Sequence, residues 1–444
     1  MVSHNSEAEL DAALRVREKS IGYMQNVFRA RETTFNSITA LVLAVVGGLP
    51  TEAIALKITI SMTFGLLLDV PLGVLADRLG HARAVTIGMH CLAIAPIILL
   101  VPCVYTLPYE ATILFVIANA LAGSFGSSFV SGAYEALTLG LVESLNRSPL
   151  AQQLNRRYDA TSVTSLQRYG STITLVLPAA AIVVTLLLDR LWQVGYVTLI
   201  APSLIAMGFT HILTFADDNE PKDQISNKST THLKLVTRFA GPIALVALTQ
   251  FTMIHANAYT LVSAIDIEGI RHASWGSFYI SAVMSCAFFA GFFVKAKFGH
   301  TLIESTTKSL LPIVCILCAF LLSALCFFIN KLFESMFAVF VFGCFFRLFF
   351  STAQEVISNS LLSDVGAEGR ATVMSIARTI AVGGYAFFSA SLLYRHDHIP
   401  TLNENLLSVA LLCIFIATVL VGHHIQKSRR LRIGSSNSGQ LDEG

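Results

Sequence analysis

Apolar runs of roughly 20 residues, the length that carries a helix across a hydrocarbon core, recur along this whole chain. No other feature constrains the fold as much. Backbone N–H and C=O groups in lipid have no water to bond, so a spanning segment closes its own hydrogen bonds as a helix or joins a sealed barrel. The runs are built from Leu, Ile, Val, Ala and Phe without the alternation of a barrel strand. The fold class is therefore an all-α membrane protein. Spans are predicted at 33–50, 57–75, 84–105, 111–137, 169–188, 192–214, 239–263, 275–294, 306–329, 334–360, 371–394 and 404–424, twelve in all. Charged residues make up only 13% of the chain, against roughly 25% in a soluble domain. That excludes water as the main solvent.

An even number of spans puts both termini on one side. The basic residues choose it. Lys57, Arg190, Arg271, Lys331 and Arg395 fall on one face, Arg347 and Arg378 fall inside spans, and every other Lys and Arg falls on the opposite face. Basic loops stay in the cytoplasm, so both termini are expected on the inner side of the cytoplasmic membrane. Residues 1–32 are polar, carry Arg15, Arg17, Lys19, Arg29 and Arg31, and lack the apolar core of a secretory signal. They read as a cytoplasmic segment, either a helix lying on the membrane surface or a solvated tail. The polar stretch 215–238 is too short to build a core and reads as a linker. It separates a first six-helix bundle, 33–214, from a second, 239–424, and 425–444 is a cytoplasmic tail. The eight cysteines lie in or beside apolar runs. They read as packing residues, not as a disulfide framework.

The two halves echo each other. At a fixed offset, Gly123, Phe125, Phe129, Ser131, Ala133 and Glu135 of the fourth span meet Gly343, Phe345, Phe349, Ser351, Ala353 and Glu355 of the tenth. "SLQR" (165–168) opens the fifth span and "SIAR" (375–378) lies early in the eleventh. Internal repeats of this kind mark transporter folds. They suggest matching ion pairs, Glu135 with Arg168 and Glu355 with Arg378, because buried charge in a membrane is costly unless paired.

One short cytoplasmic stretch, "GVLADRLGHARA" (73–84), interrupts the apolar pattern with Gly73, Asp77, Arg78, Gly80, His81 and Arg83. Gly73 permits close helix approach and Gly80 a tight turn. The spacing Gly73-x-x-x-Asp77-Arg78-x-Gly80-x-x-Arg83, between spans two and three of twelve, resembles the signature loop of the major facilitator superfamily. "DVPLGVLADRLGH" (69–81), "SGAYEAL" (131–137) and "RATVMS" (370–375) resemble recurring phrases of its bacterial members. His81 stands at a usual arginine position, Asp69 at a usual glutamate, and Thr138-Leu139-Gly140 replaces a tyrosine–aspartate phrase. The resemblance implies two pseudo-symmetric six-helix bundles. It also sets Asp77 against the N-terminus of the eleventh helix, near Ala371, where free N–H groups and the dipole favour an anion. Arg78, His81 or Arg83 would then reach Glu135. The whole would be a latch that closes the cytoplasmic side.

The resemblance further implies a central cavity lined by spans one, four, seven and ten. Arg347, Ser351, Gln354 and Glu355 are expected on one face of span ten at three- and four-residue spacing. Arg347 either binds an anionic or zwitterionic solute group or partners an acid. Gln250, His255, Asn257 and Tyr259 form a polar patch in span seven; Asn36 and Tyr134 add to it from spans one and four. His255 either carries a proton or satisfies a helix–helix hydrogen bond. Asp69, Glu135 and Glu355 are the carboxylates available to carry a coupling proton; Asp69 is alternatively an outlying part of the latch. With no phosphate loop, HExxH or GxSxG present, an enzyme is not expected. Neither a cofactor, nor a metal, nor a nucleic-acid partner is expected. The expected function is a monomeric secondary transporter in the lipid bilayer. It moves a small organic solute by alternating access, coupled to protons, with efflux favoured; the alternative is a non-transporting sensor on the same fold.

Overall fold

The computed structural model describes residues 4–45, 51–105, 107–159, 161–176, 179–180, 208, 236–267, 290–304, 310–333, 336–395 and 402–438. Among them every regular element is helical. The long helices are α1 (His4–Val45), α2 (Thr51–Leu79), α3 (His81–Val104), α4 (Tyr109–Arg147), α5 (Ala240–Ile267), α6 (290–304), α7 (Leu311–Phe333), α8, α9 (Arg370–Arg395) and α10 (Leu402–Ser438). Helix α8 comprises Met336–Phe346 and Thr352–Asp364, joined by a π-helical turn at Arg347–Ser351. Thr59–Leu79, His81–Ile98, Tyr109–Arg147, Leu311–Leu332 and Asn403–Ile425 are each long and apolar enough to cross a membrane. Nearly all of the predicted span 192–214, the second part of 169–188, most of 275–294 and most of the linker 215–238 lie outside the described residues.

Where predicted and observed ends differ, the cause is the same: a drop in hydropathy marks a change of surroundings, not the end of a helix. Helix α1 runs without a break through residue 32, where the polar segment was expected to end. Leu14, Ile21, Met24 and Phe28, spaced like one face of a helix, are all buried. Helix α4 continues ten residues past its predicted end at 137 and stops only before Pro149, as the residue preceding a proline disfavours helix. Ser148 then caps the short helix Pro149–Gln153, its Oγ accepting from Ala151 N at 3.3 Å. The stretch 73–84, expected as a loop, is nearly all helix. Only Gly80, at φ 89°, breaks α2 from α3, a backbone angle that glycine adopts without penalty.

Helix α9 seats the second half of the chain against the first. It packs on α2 and α4 through two glycines. A Cβ at Gly73 would lie 2.5 Å from Ser375 Oγ, and one at Gly132 would overlap the Ala371 carbonyl. Both helices therefore come closer to α9 than any side chain would allow. Ala371, Val373, Met374 and Ala377 of α9 are buried in this contact, with Leu72 and Ala76 of α2 and Ala133 and Leu137 of α4. The same device joins α6 to α8: a Cβ at Gly291 would sit 2.8 Å from the Gly343 carbonyl.

Candidate functional site

The first turn of α9 presents backbone N–H groups that no helical carbonyl can reach. Asp77, at the end of α2, takes them: Oδ1 accepts from Ala371 N at 3.0 Å, and Oδ2 accepts from Thr372 N at 2.9 Å and from Thr372 Oγ1. The carboxylate thus lies on the positive end of a helix from the other half of the chain. His81 Nε2 sits 3.1 Å from the same Oδ1, so the histidine at the usual arginine position turns onto Asp77 and not onto α4.

Beside this contact, Arg370 makes a two-pronged pair with Glu143, Nη2 to Oε1 at 2.6 Å and Nη1 to Oε2 at 2.9 Å. Its Nε donates to the Leu362 and Val365 carbonyls at the end of α8. One guanidinium therefore binds α4, the end of α8 and the start of α9 in fixed fork geometry. The acid of α4 engaged here is Glu143, about two turns beyond Glu135. The expected reach of Arg78, His81 or Arg83 to Glu135 is not what the side chains make.

The repeat-based ion pairs are redistributed as well. Arg378 pairs with Asp69, Nε to Oδ2 at 3.6 Å, and its Nη1 donates to the Ser127 carbonyl at 3.5 Å. It joins α9 to α2 and α4, not to Glu355. Asp69 is buried to 3% exposure. Arg168 lies over the Tyr169 ring at 5.0 Å and stands 3.9 Å from Glu304, away from Glu135. The residue before it does the joining: Gln167 Nε2 donates to Glu355 Oε1 at 2.9 Å.

Glu355 is the centre of a second junction. Arg29 of α1 forms an ion pair with its Oε1, and Lys295 of α6 approaches its Oε2 at 2.9 Å. Lys295 is 1% exposed, among the most buried charged groups described. Phe292, one turn before Lys295, lies under two guanidiniums, Arg347 at 4.2 Å and Arg29 at 5.8 Å from the ring centre. Arg347 itself is buried to 7% at the start of the π turn. That turn holds one residue more than an α-helical turn. Helices α1, α6 and α8 thereby line up Arg347, Phe292, Arg29, Glu355 and Lys295.

Other expected residues are placed elsewhere. His255 bonds Ser408 Oγ of α10 through Nε2 at 2.6 Å and stacks on Phe251. This is a contact inside the second half. Tyr134 stacks on Phe28 of α1 at 3.7 Å. Ser351 is buried beside Arg347, while Gln354 and Gln250 are half-buried. Asn36, Asn257 and Tyr259 lie on α1 and α5, and their side chains fall outside the described residues. The described cysteines, Cys315 and Cys318 included, are free thiols. Among the described residues no three His, Cys, Asp or Glu side chains gather to hold a metal.

The first turns of α1 are tied to the connection after α4. Glu18, 5% exposed, accepts from Tyr158 Oη at 2.5 Å and Tyr169 Oη at 3.2 Å. Asp11 pairs with Arg156 at 2.5 Å. Burial, with the Glu18 hydrogen bond adding to it, pushes the Tyr158 phenol above its ordinary range. Asn26 donates to the Gln167 and Tyr169 carbonyls, which fixes Gln167 toward Glu355. Arg29, Lys295, Glu143 and Arg370 were not singled out as site residues from the sequence.

A profile described as Major Facilitator Superfamily matches residues 26–389. No curated protein sequence matches the chain. Among solved structures, a bacterial homologue of the iron transporter ferroportin in its outward-facing state aligns with a TM-score of 0.63 at 14% identity, over 91% of this chain and 98% of that one. The transporter FucP in its outward conformation aligns with a TM-score of 0.58 at 14% identity, over 91% of this chain and 97% of that one. At such identity the likeness concerns the fold.

Proposed function

The chain belongs to the Major Facilitator Superfamily, a membrane transporter family and not an enzyme family; from that premise we propose that it is a proton-coupled secondary transporter of a small anionic or zwitterionic organic solute. It works by alternating access, with its termini in the cytoplasm of a cell whose inner membrane it spans, and moves its solute together with a proton. The observation that carries the reading is the pair of junctions between the halves. Asp77 on the α9 N-terminus and Glu143 on Arg370 hold one face shut. Glu355, between Arg29 of the first half and Lys295 of the second, makes the second junction.

Each contact is individually modest, about 0.3–2 kcal/mol for a carboxylate at a helix end. Such contacts bias two states without locking either. A proton on Glu355 removes the charge that holds Arg29 and Lys295 together, so proton binding and opening are coupled by charge balance. Asp69, between α2 and Arg378, offers a second carboxylate at the same interface. The buried cations suit an anionic solute group and disfavour a purely cationic one.

The test is flux in proteoliposomes that contain the purified protein and the pH dye pyranine. Added organic acids and amino acids are expected to move protons across the membrane, and quaternary amines are not. Movement of proton and solute together requires that an outside-acidic gradient drive solute into right-side-out vesicles; solute driven out by that gradient would show exchange instead. Proton movement with no member of either class, in vesicles where the protein is folded and oriented, contradicts the reading.

A further inference from the structure

Glu355 is held as a bound ligand is held. Its carboxylate meets Arg29 from α1, Gln167 from the segment after Ser162–Leu166, and Lys295 from α6. Two of those groups belong to the first half of the chain and one to the second. Lys295 is so deeply buried that an ammonium there needs a carboxylate opposite it. When the halves separate, Glu355 cannot keep all three partners, and a second carboxylate is the chemistry that replaces it. The way to this seat is lined by cations. Arg347 stands about 12 Å further along α8, over the same Phe292 ring that Arg29 covers.

We propose that Arg29 and Lys295 form a carboxylate seat now occupied by Glu355, and that the transported solute carries a carboxylate that takes this seat when a proton on Glu355 clears it. Glu355 is thus an internal stand-in for the solute. Solute and proton bind in a linked way because both act on one pair of cations: protonation neutralises the resident carboxylate, and the incoming carboxylate restores the charge. Arg347 receives the solute first, at mid-depth, with Phe292 keeping its guanidinium and that of Arg29 in line. The charged groups that face Glu355 are Arg29 and Lys295, and Gln167 is its neutral partner. This inference rests on the transporter reading above and adds the group that the solute must carry.

Glu355→Ala tests it, because the variant leaves the seat without its own carboxylate. In the purified full-length protein, sodium acetate and propionate are expected to raise the thermal unfolding midpoint of this variant by several degrees. Sodium chloride and acetamide are expected not to. The double variant Glu355→Ala, Lys295→Met is expected to lose the rescue. In the wild type, propionate binds weakly at pH 7.5, because the charged Glu355 occupies the cations. In Glu355→Gln affinity at pH 7.5 rises roughly tenfold, a change of about 1.4 kcal/mol. The Gln variant carries the test by itself where the Ala variant does not fold.

The proposal is overturned if no carboxylate binds or stabilises the variants of Glu355, or if the rescue survives loss of Lys295. Proton-driven flux of a neutral or cationic solute that ignores Glu355 removes the seat and leaves the transporter reading intact. Carboxylate rescue without flux of any solute does the reverse.

Discussion

Two junctions join the halves of this protein, and they are built on opposite principles. At the end of α2, Asp77 uses backbone amides at the start of α9, and Glu143 uses the fork of Arg370. Glu143 keeps 35% of its side chain in solvent, whereas Arg370 and Asp77 are buried at 7% and 3%, so what sets this junction apart is that backbone amides, and not a second cation, hold its buried aspartate. Around Glu355, two cations from opposite halves share one acid, and Lys295 is 1% exposed. A buried charge stripped of its partner is strained in proportion to its burial. The comparison teaches a division of chemistry: the outer junction binds acids with a helix end and one guanidinium fork, and the inner one gathers cations from both halves on a single acid.

The largest expected effect lies at the inner junction. Glu355→Ala removes the carboxylate between Lys295 and Arg29 and is expected to cost about 3–5 kcal/mol of stability, read as a lowered thermal midpoint, with Glu355→Gln costing less because it keeps a polar group there. Equal loss in the two variants would erase the distinction between the junctions. Next comes the Arg370–Glu143 pair, where removal of either side costs about 2–3 kcal/mol. The double variant should cost little more than one single variant, and full additivity would show that the pair does not act as a unit. Gly132→Ala follows. Its Cβ overlaps the Ala371 carbonyl, so α9 must shift, at a cost of about 1–2 kcal/mol. Faster thiol labelling at the cytoplasmic ends of α2 and α9 checks it.

Asp77→Asn is expected to have the smallest effect, about 1 kcal/mol. It keeps the shape but loses the charge and one of the two oxygens that accept from Ala371 N and Thr372 N, so it should change the open-to-closed ratio about fivefold and lower the unfolding midpoint less than Glu355→Ala does. A large loss of stability there would make Asp77 a structural residue like Glu355.

The outer junction was legible in one dimension and the inner was not. The motif around Asp77 has fixed local spacing, and its partner is a helix end that hydropathy places within a residue of Arg370. A helix terminus binds an acid whichever way its side chains turn. Glu355 depends instead on the rotation of three helices. The repeat located the acid and assigned it Arg378, whereas Gln167, Arg29 and Lys295 hold it. One step along a helix turns a side chain by about 100°. That is the difference between Gln167, which reaches Glu355, and Arg168, which lies over Tyr169. Arg29 was read as part of a cytoplasmic segment because charge surrounds it, although α1 carries it straight into the packed region. The π turn at Arg347 has no signature in periodicity.

The central claim, that these contacts hold shut a cytoplasmic side that must open, is tested most directly by a distance. Spin labels at Leu79 and Ser363, exposed positions at the cytoplasmic ends of α2 and α8, report it by pulsed electron resonance in a background from which the eight cysteines have been removed. The account predicts two separations in lipid, with the longer one gaining population in Asp77→Asn and again on acidification. A single separation, the same in the wild type, in Asp77→Asn and in the Arg370–Glu143 double variant at every pH, would contradict it.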